Sequence, residues 1–568
     1  MTAIAVGASA ARSVRARIGR DGWIMRGLLL LLTAYLLVTV AFPLYALLRK
    51  SFLDKHGSFI GLGNYTRYFS DPALAESLPN TFFIAGAGTI ISIALAFSYA
   101  YALSRSCMPW RRLFRGIALV PLLAPSLLPA LSLIYLFGNQ GLLKSWLMGH
   151  SIYGPIGILL GEVFFAFPHA VIIILTSLAM ADQRLYEAAI ALRASPWRIF
   201  FTVTLPGCRY GLISACFVVF TLIFTDFGVP KVIGGQFDVL ATDVYKQVIG
   251  QFNFEAGAVV GMLLLFPAVI SFAADRIVQR RQVALLSARA VPYEPKPDRL
   301  RDAVAFVFCL LATVFLIGIP GTAAYASFIK YWPYDMTLTW ANYDFNNIDT
   351  QGWAAYANSL ILATWTAVIG TAIVFFGAYL VEKTTGFRRM RGFVQFLCMV
   401  PLAVPGLVLG LSYIFFFNDR ANPLVFLYLT MAILVINTIA HFYTVCHLTA
   451  VTALKQLDAE FEAVSASLKV PFYRTFWRVT VPICLPAVVD IAAYYFINAM
   501  TTVSAVVFLY SANTKLASIS VLNMDDAGNT ANAAAMGMTI VVTSAVLKLL
   551  QTVLLRGLNR RTQAWRRR

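Results

Sequence analysis

From Gly27 to Leu48, and again from Phe82 to Leu103, the chain runs without one charged side chain, and Val304–Ile319 does the same. At 1.5 Å rise per residue, about 20 helical residues cross the roughly 30 Å hydrocarbon core of a bilayer. In lipid every backbone group must be paired within the protein, which leaves helices or a closed barrel. Barrel strands alternate apolar and polar residues, and these runs do not. A large soluble helical protein would break its apolar stripes with charge every few residues. Composition agrees: 59% of the 568 residues are hydrophobic and 12% charged, more apolar surface than a soluble fold can hide. The chain reads as an all-α polytopic membrane protein.

Twelve spans are expected. Six begin near 26–48, 80–104, 113–137, 156–180, 208–229 and 256–274, and six near 302–328, 357–381, 393–417, 423–448, 486–509 and 534–555. Asp275–Arg301, rich in Arg and Pro, separates the two sets. The expected organisation is a first repeat over 1–280, a linker over 281–301 and a second repeat over 302–568. The net charge of +19 invites a nucleic-acid reading. However, the basic residues sit beside the ends of apolar runs, as topology determinants and lipid-headgroup contacts do, so no nucleic-acid partner is expected. Arg105, Arg111, Arg112 and Arg115 follow span 2, Arg184, Arg193 and Arg198 follow span 4, and Lys383, Arg388, Arg389 and Arg391 follow span 8. Gly138–Gly154 and Ser511–Asn532 are nearly free of Lys and Arg. The positive-inside rule then places both termini in the cytoplasm. The run after Arg12, Arg15, Arg17 and Arg20 is too long for a signal-peptide core and is expected to be retained. The seven cysteines include no C-x-x-C pair and read as small free hydrophobes.

The two sets of spans are copies. Asn64-Tyr65 recurs as Asn342-Tyr343 and Ala100-Tyr101 as Ala378-Tyr379, both at an offset of 278 (342 − 64). Val120-Pro121 and Pro125 recur as Val400-Pro401 and Pro405, and Leu205-Pro206 recurs as Val481-Pro482. An ordered series at nearly constant spacing, including polar and loop residues, marks a duplication. An even number of spans per copy gives both repeats the same orientation. The prolines interrupt helical hydrogen bonding in spans 3 and 9 and are expected to bend them.

The basic loop after span 4 carries an amphipathic pattern. Leu185, Ala188, Ala189 and Leu192 share one helical face, as Phe461, Val464, Ser465 and Leu468 do in the second copy. Ser195-Pro196 supplies an N-cap and first turn for a following helix. A short, partly apolar helix outside the bilayer needs a cover, either the membrane surface or a partner protein.

Glu187-Ala188-Ala189 followed by Leu205-Pro206 resembles the coupling loop of ABC importer permeases. That family's pattern is Glu-Ala-Ala, three residues, Gly, about nine more, then a hydrophobic residue and hydrophobic-Pro. The resemblance covers both halves and is greatest to the fused double permeases of ferric-iron and phosphonate importers, among them 2-aminoethylphosphonate permeases, with spermidine/putrescine permeases related. It implies a type I importer fold and a pathway worked by alternating access. It also implies two copies of a separate ATPase subunit, which bind ATP and Mg, and a periplasmic or extracellular substrate-binding protein, all in a bacterial inner membrane. The expected coupling residues are Leu185, Glu187, Ala188, Ala189, Leu192 and Arg193, with Phe461, Glu462, Ala463, Val464, Leu468 and Lys469. Arg193 and Lys469 stand where the family has glycine, so the turn there should be made differently. Glu462 falls one position early, about 100° of helical rotation from the place of Glu187.

No G-x-x-x-x-G-K-[ST] occurs, and no H-E-x-x-H or G-x-S-x-G, so no catalytic site or resident cofactor is expected in this chain. A major-facilitator-like secondary transporter also has two parallel six-span halves, but would carry an acidic-basic signature after span 2. Ser104 to Arg112 contains no acid. A membrane protein without transport would not need ionisable groups inside its spans. Glu162 in span 4 and Asp226 in span 5 are such groups, each costing about 2.5–3.5 kcal/mol if it faced lipid at mid-membrane. Both are expected to face a pathway, together with Asn437 and Thr502 at the matching places and Asn498. The competing reading pairs the two acids with Lys231 or His169 as helix ties. Of the candidate substrates, 2-aminoethylphosphonate comes first and ferric iron second.

Overall fold

The computed structural model describes residues 19–284, 291–384, 387–458 and 460–562. Eight helices are long and apolar enough to cross a bilayer unbroken, and four bent pairs bring the count to twelve. In order, the spans are Arg20–Ser51, Pro72–Arg105, Arg111–Leu123 with Leu127–Phe137, Pro155–Ala179, Pro196–Thr225 and Phe254–Gln279. The second repeat gives Arg299–Ser327, Trp353–Lys383, Arg388–Ala403 with Gly406–Phe417, Met431–His441 with Tyr443–Lys455, Phe472–Ile483 with Leu485–Thr501, and Thr530–Leu558. They are numbered 1 to 12 in that order. Within the segment expected to join the repeats, helix is described up to Ala284 and again from Arg299, and residues 285–290 lie outside the described residues. Charged residues extend these helices beyond the apolar windows because Arg and Asp are tolerated in exposed helix and Asp298 caps Arg301.

Spans 3 and 9 do more than bend. At Pro121 and Pro125 the chain turns through 101°, and at Pro401 and Pro405 through 114°. Each proline lacks a donor, and Pro125 and Pro405 disfavour helix in the residue before them, so Ala124 and Val404 are extended and a new helix starts beyond. Span 11 is also broken, by 77°, whereas span 5 runs continuously from Pro196 to Thr225. The second helix expected after Ser195 is therefore the basic-side end of span 5. Pro486 makes the difference, because the first repeat has Tyr210, with its N–H, at that place.

The sequence repeats mark clamps. Asn64 Nδ2 donates to the carbonyls of Ser51 and Leu53 at 3.1 and 2.8 Å, and Asn342 Nδ2 to those of Ser327 and Ile329 at 3.0 and 2.7 Å. Each thereby pins the loop that leaves its repeat's first span. Replacing Asn342 by Leu should leave two carbonyls unpaired at about 1–3 kcal/mol each, read as a lower unfolding temperature in detergent. The Ala-Tyr pairs lie against the start of the next repeat motif. Tyr101 and Phe97 flank the ring of Phe200 at 5.8 and 6.0 Å, and Tyr379 and Phe375 flank that of Phe476 at 4.9 and 6.0 Å.

The two repeats exchange their first spans. Span 1 packs on Gly406–Phe417 of the second repeat, where the Tyr413 hydroxyl donates to Thr39 O at 2.7 Å. Span 7 packs on Leu127–Phe137 of the first repeat, and Phe306 meets Phe114 with ring centres 5.7 Å apart. Neither repeat is a free-standing domain. The shared backbone carries unlike charges on the side away from the basic loops. Lys515 forms a buried ion pair with Asp349 at 2.7 Å, whereas the first repeat has Asp238 and Asp71 at those places. The correspondence is fixed by Asn80 and Asn358, which donate to the carbonyls of Asp238 and Lys515.

Candidate functional site

Two features stand out on the molecule: a pair of short helices on the basic side and a cavity between the repeats. The first loop helix is Gln183–Ala191 and the second Glu460–Ser467. Asp182 caps the first through Arg184 N at 3.1 Å. Tyr186 is its buried residue, bonded to Thr204 Oγ1 at 3.0 Å and to Arg105. The opposite face, with Leu185, Glu187, Ala188 and Leu192, is exposed, and Ala189 is half-buried. Leu192 is 82% exposed and Leu468, its counterpart, 70%. Phe461 and Val464 are exposed as well. Two apolar knobs are thus exposed at equivalent places, a surface that calls for a cover, by membrane or by a partner protein.

The turns after both helices are made by the basic residues themselves. Arg193 has φ of 54° and Lys469 of 51°. Ala194 N donates to Ala189 O and Val470 N to Ser465 O, both at 3.0 Å, which closes the helix end in the way a glycine usually does. The turn is therefore not made differently, as the missing glycine suggested. It is the ordinary left-handed cap, held at some strain by non-glycine residues. Arg193→Gly should relieve about 1 kcal/mol, seen as slower amide exchange at Ala194.

The register of Glu462 resolves into a distinct role. It occupies the place of Tyr186, turns toward the molecule and pairs with Lys383. Lys383 in turn stands where the first repeat has Arg105. Glu187 faces solvent and accepts only from Gln183 Nε2 at 3.1 Å among the described residues. The place of Glu187 in the second repeat is held by Ala463, within the second loop helix.

A cavity of about 280 Å³ lies where the broken spans of both repeats meet. Asp226, Asn498 and Thr502 line it, as expected. Asp226 is not within a helix. Span 5 ends at Thr225, Asp226 is extended, and its Oδ2 accepts from Val229 N at 2.9 Å to start the next short helix, Gly228–Ile233. Thr502 takes the same extended conformation after span 11. Glu162 and Asn437, also expected on the pathway, lie one layer behind the wall, with no exposed surface. Close packing puts them there: a methyl on Gly161 would come 2.5 Å from Val229 Cγ1, so span 4 presses directly on the segment after Asp226. Asn437 donates to Ala505 O at 2.7 Å. Glu162 sits beside Asp226, carboxyl against carboxyl. The proposed ties to Lys231 are absent, since that lysine pairs with Asp526 at 2.8 Å.

The cavity also contains residues the sequence did not single out as pathway groups. His169 and His441 both line it, with Ser126, Thr225, Thr501 and Ser504. The paired Thr225-Asp226 and Thr501-Thr502, at one offset, were the available signal. Asp226 is the one acid on the wall, and no Lys or Arg lies there among the described residues. A cation or ammonium group is the ligand charge such a wall favours.

Two stretches, residues 88–283 and 373–560, match the model of the binding-protein-dependent transport system inner membrane component family. The ferric transport system permease protein FbpB of Actinobacillus pleuropneumoniae is 27% identical over 91% of this chain and 76% of its own length. A putative ferric transport system permease protein FbpB 1 of Haemophilus influenzae is 27% identical over 84% and 76%. The spermidine/putrescine transport system permease protein PotB of Haemophilus influenzae is 25% identical over 44% of this chain and 93% of its own.

Proposed function

The chain belongs to the binding-protein-dependent transport system inner membrane components, as the multi-pass permease subunit of an ABC importer, and from that premise we propose how its parts act. The first and second loop helices dock on two copies of a separate ATPase subunit, which bind ATP and Mg. Both termini face the cytoplasm with the basic loops, and a soluble binding protein delivers substrate on the other side. Closure of the ATPases drives the loop helices together and biases the bundle between two states. The broken spans 3 and 9, whose breaks at Pro121–Ser126 and Pro401–Gly406 line the cavity, are the elements that change its access.

The substrate we favour is 2-aminoethylphosphonate, and the observation that supports its ammonium group is Asp226, the one acid on a wall where no Lys or Arg lies among the described residues. The ammonium group would lie against Asp226, and the hydroxyls and imidazoles would face the phosphonate. Ferric iron is the second reading, favoured by the two relatives named as ferric permeases. Carboxylate, imidazole and hydroxyl groups are ligands that suit iron too. ATP-driven uptake into vesicles holding the full complex separates them. Saturable uptake of 2-aminoethylphosphonate, undisturbed by ferric citrate, supports the first reading. Uptake of iron alone replaces it with the second.

A further inference from the structure

The segment that joins the repeats crosses the first loop helix. Gln183 N donates to Val291 O at 2.9 Å, Val291 N to Asp182 Oδ1 at 3.3 Å, and Glu294 N to Gln183 Oε1 at 3.3 Å. Asp182 and Pro292 form an antiparallel bridge. The ring of Tyr293 lies 4.5 Å from that of Tyr186, and the Arg105 guanidinium stands 4.2 Å over it. Arg105 is itself buried and donates to Leu178 O at 3.0 Å. Two residues on, Cys107 Sγ donates to Pro295 O at 3.2 Å, and Cys107 N to Asp302 Oδ1 at 2.9 Å. Asp302 is in the first turn of span 7.

These contacts form an unbroken path from the first loop helix to a span of the other repeat. Span 7 packs in turn on Leu127–Phe137, the helix that starts beside the cavity at Ser126. Among the described residues the second repeat has different contacts at these places. Lys383 replaces Arg105 and holds Glu462, and Asp21 accepts from Phe472 N at 2.9 Å, on the helix after the loop.

We propose that residues 291–302 are a strap that makes the first loop helix move as one body with the start of span 7, with Tyr293 as its positioning residue. A displacement of that loop then reaches the cavity by two routes, through span 5 of its own repeat and through span 7 of the other. The inference rests on the coupling role proposed above for the loop helices.

The test uses the full importer in vesicles, with Tyr293→Ala and Asp182→Ser. Serine still caps Arg184 N but is too short to hold Val291 N as well. Substrate moved per ATP hydrolysed should fall about five- to tenfold in both. ATPase-subunit affinity should stay within about twofold of the parent. Tyr293→Phe, which keeps the ring, should restore transport per ATP. Unchanged transport per ATP in both variants overturns the strap. So does a loss matched by equal losses of ATPase affinity and melting temperature, which is the mark of ordinary packing. The coupling role is tested separately by Leu192→Glu: if ATPase association survives that change, the docking assignment itself falls.

Discussion

Arginine in place of Glu187 should lower the affinity of the permease for its ATPase by about tenfold to a hundredfold and abolish substrate-stimulated ATP hydrolysis. Glu187 stands in solvent beside Leu192 and Leu185, where it stabilises nothing else in the molecule beyond its contact with Gln183. The fold should therefore survive the reversal, and the change should appear in docking alone. Glu462→Arg is the internal control. Its side chain faces Lys383 in a partly exposed pair, and such pairs contribute about 0–1 kcal/mol. Its effect on association should be the milder of the two. Comparable losses at both positions, or wild-type uptake in Glu187→Arg, would remove the first loop helix from the coupling role.

Asp226→Asn should lower uptake by about tenfold to a hundredfold, the loss of one charge-assisted contact of about 1.5–3 kcal/mol. The amide oxygen still accepts from Val229 N, so the short helix after span 5 keeps its start. ATPase docking, which the loop helices on the basic side are proposed to carry, should be unaltered. The measurement is initial uptake rate together with ATPase affinity in the same vesicles. Unchanged uptake would show that Asp226 holds helices together and does not meet the substrate. Glu162→Gln should behave differently. Glu162 has no exposed surface, so its loss should act through Asp226 and reduce uptake less.

Much of this protein was legible in the chain alone. Helical hydrogen bonds are local and lipid tolerates no unpaired backbone, so uncharged runs of span length located the membrane helices. The duplication followed from ordered matches such as Asn64 and Asn342, whose shared role as a clamp is itself a contact within 15 residues. The proline pairs in spans 3 and 9 announced bends, because a missing N–H acts within one turn, but not turns of 101° and 114°. The loop helices showed themselves by their 3.6-residue period, and Ser195 capped the helix that follows as its sequence required, through Arg198 N at 3.3 Å.

What the chain alone left open depends on groups far apart along it. The exchange of spans 1 and 7 between repeats is set by contacts such as Tyr413 with Thr39, 374 residues apart, and no local period encodes a partner at that distance. The place of Glu162 behind the wall was decided by the press of Gly161 on Val229, and the role of Glu462 by Lys383 reaching it from span 8. One helical position separates an exposed acid from an inward-facing one, and only the packing of neighbouring helices says which way the solvent lies. The cavity has the same origin. Asp226, His169 and His441 share no spacing along the chain, and they meet because two broken repeats close around one space.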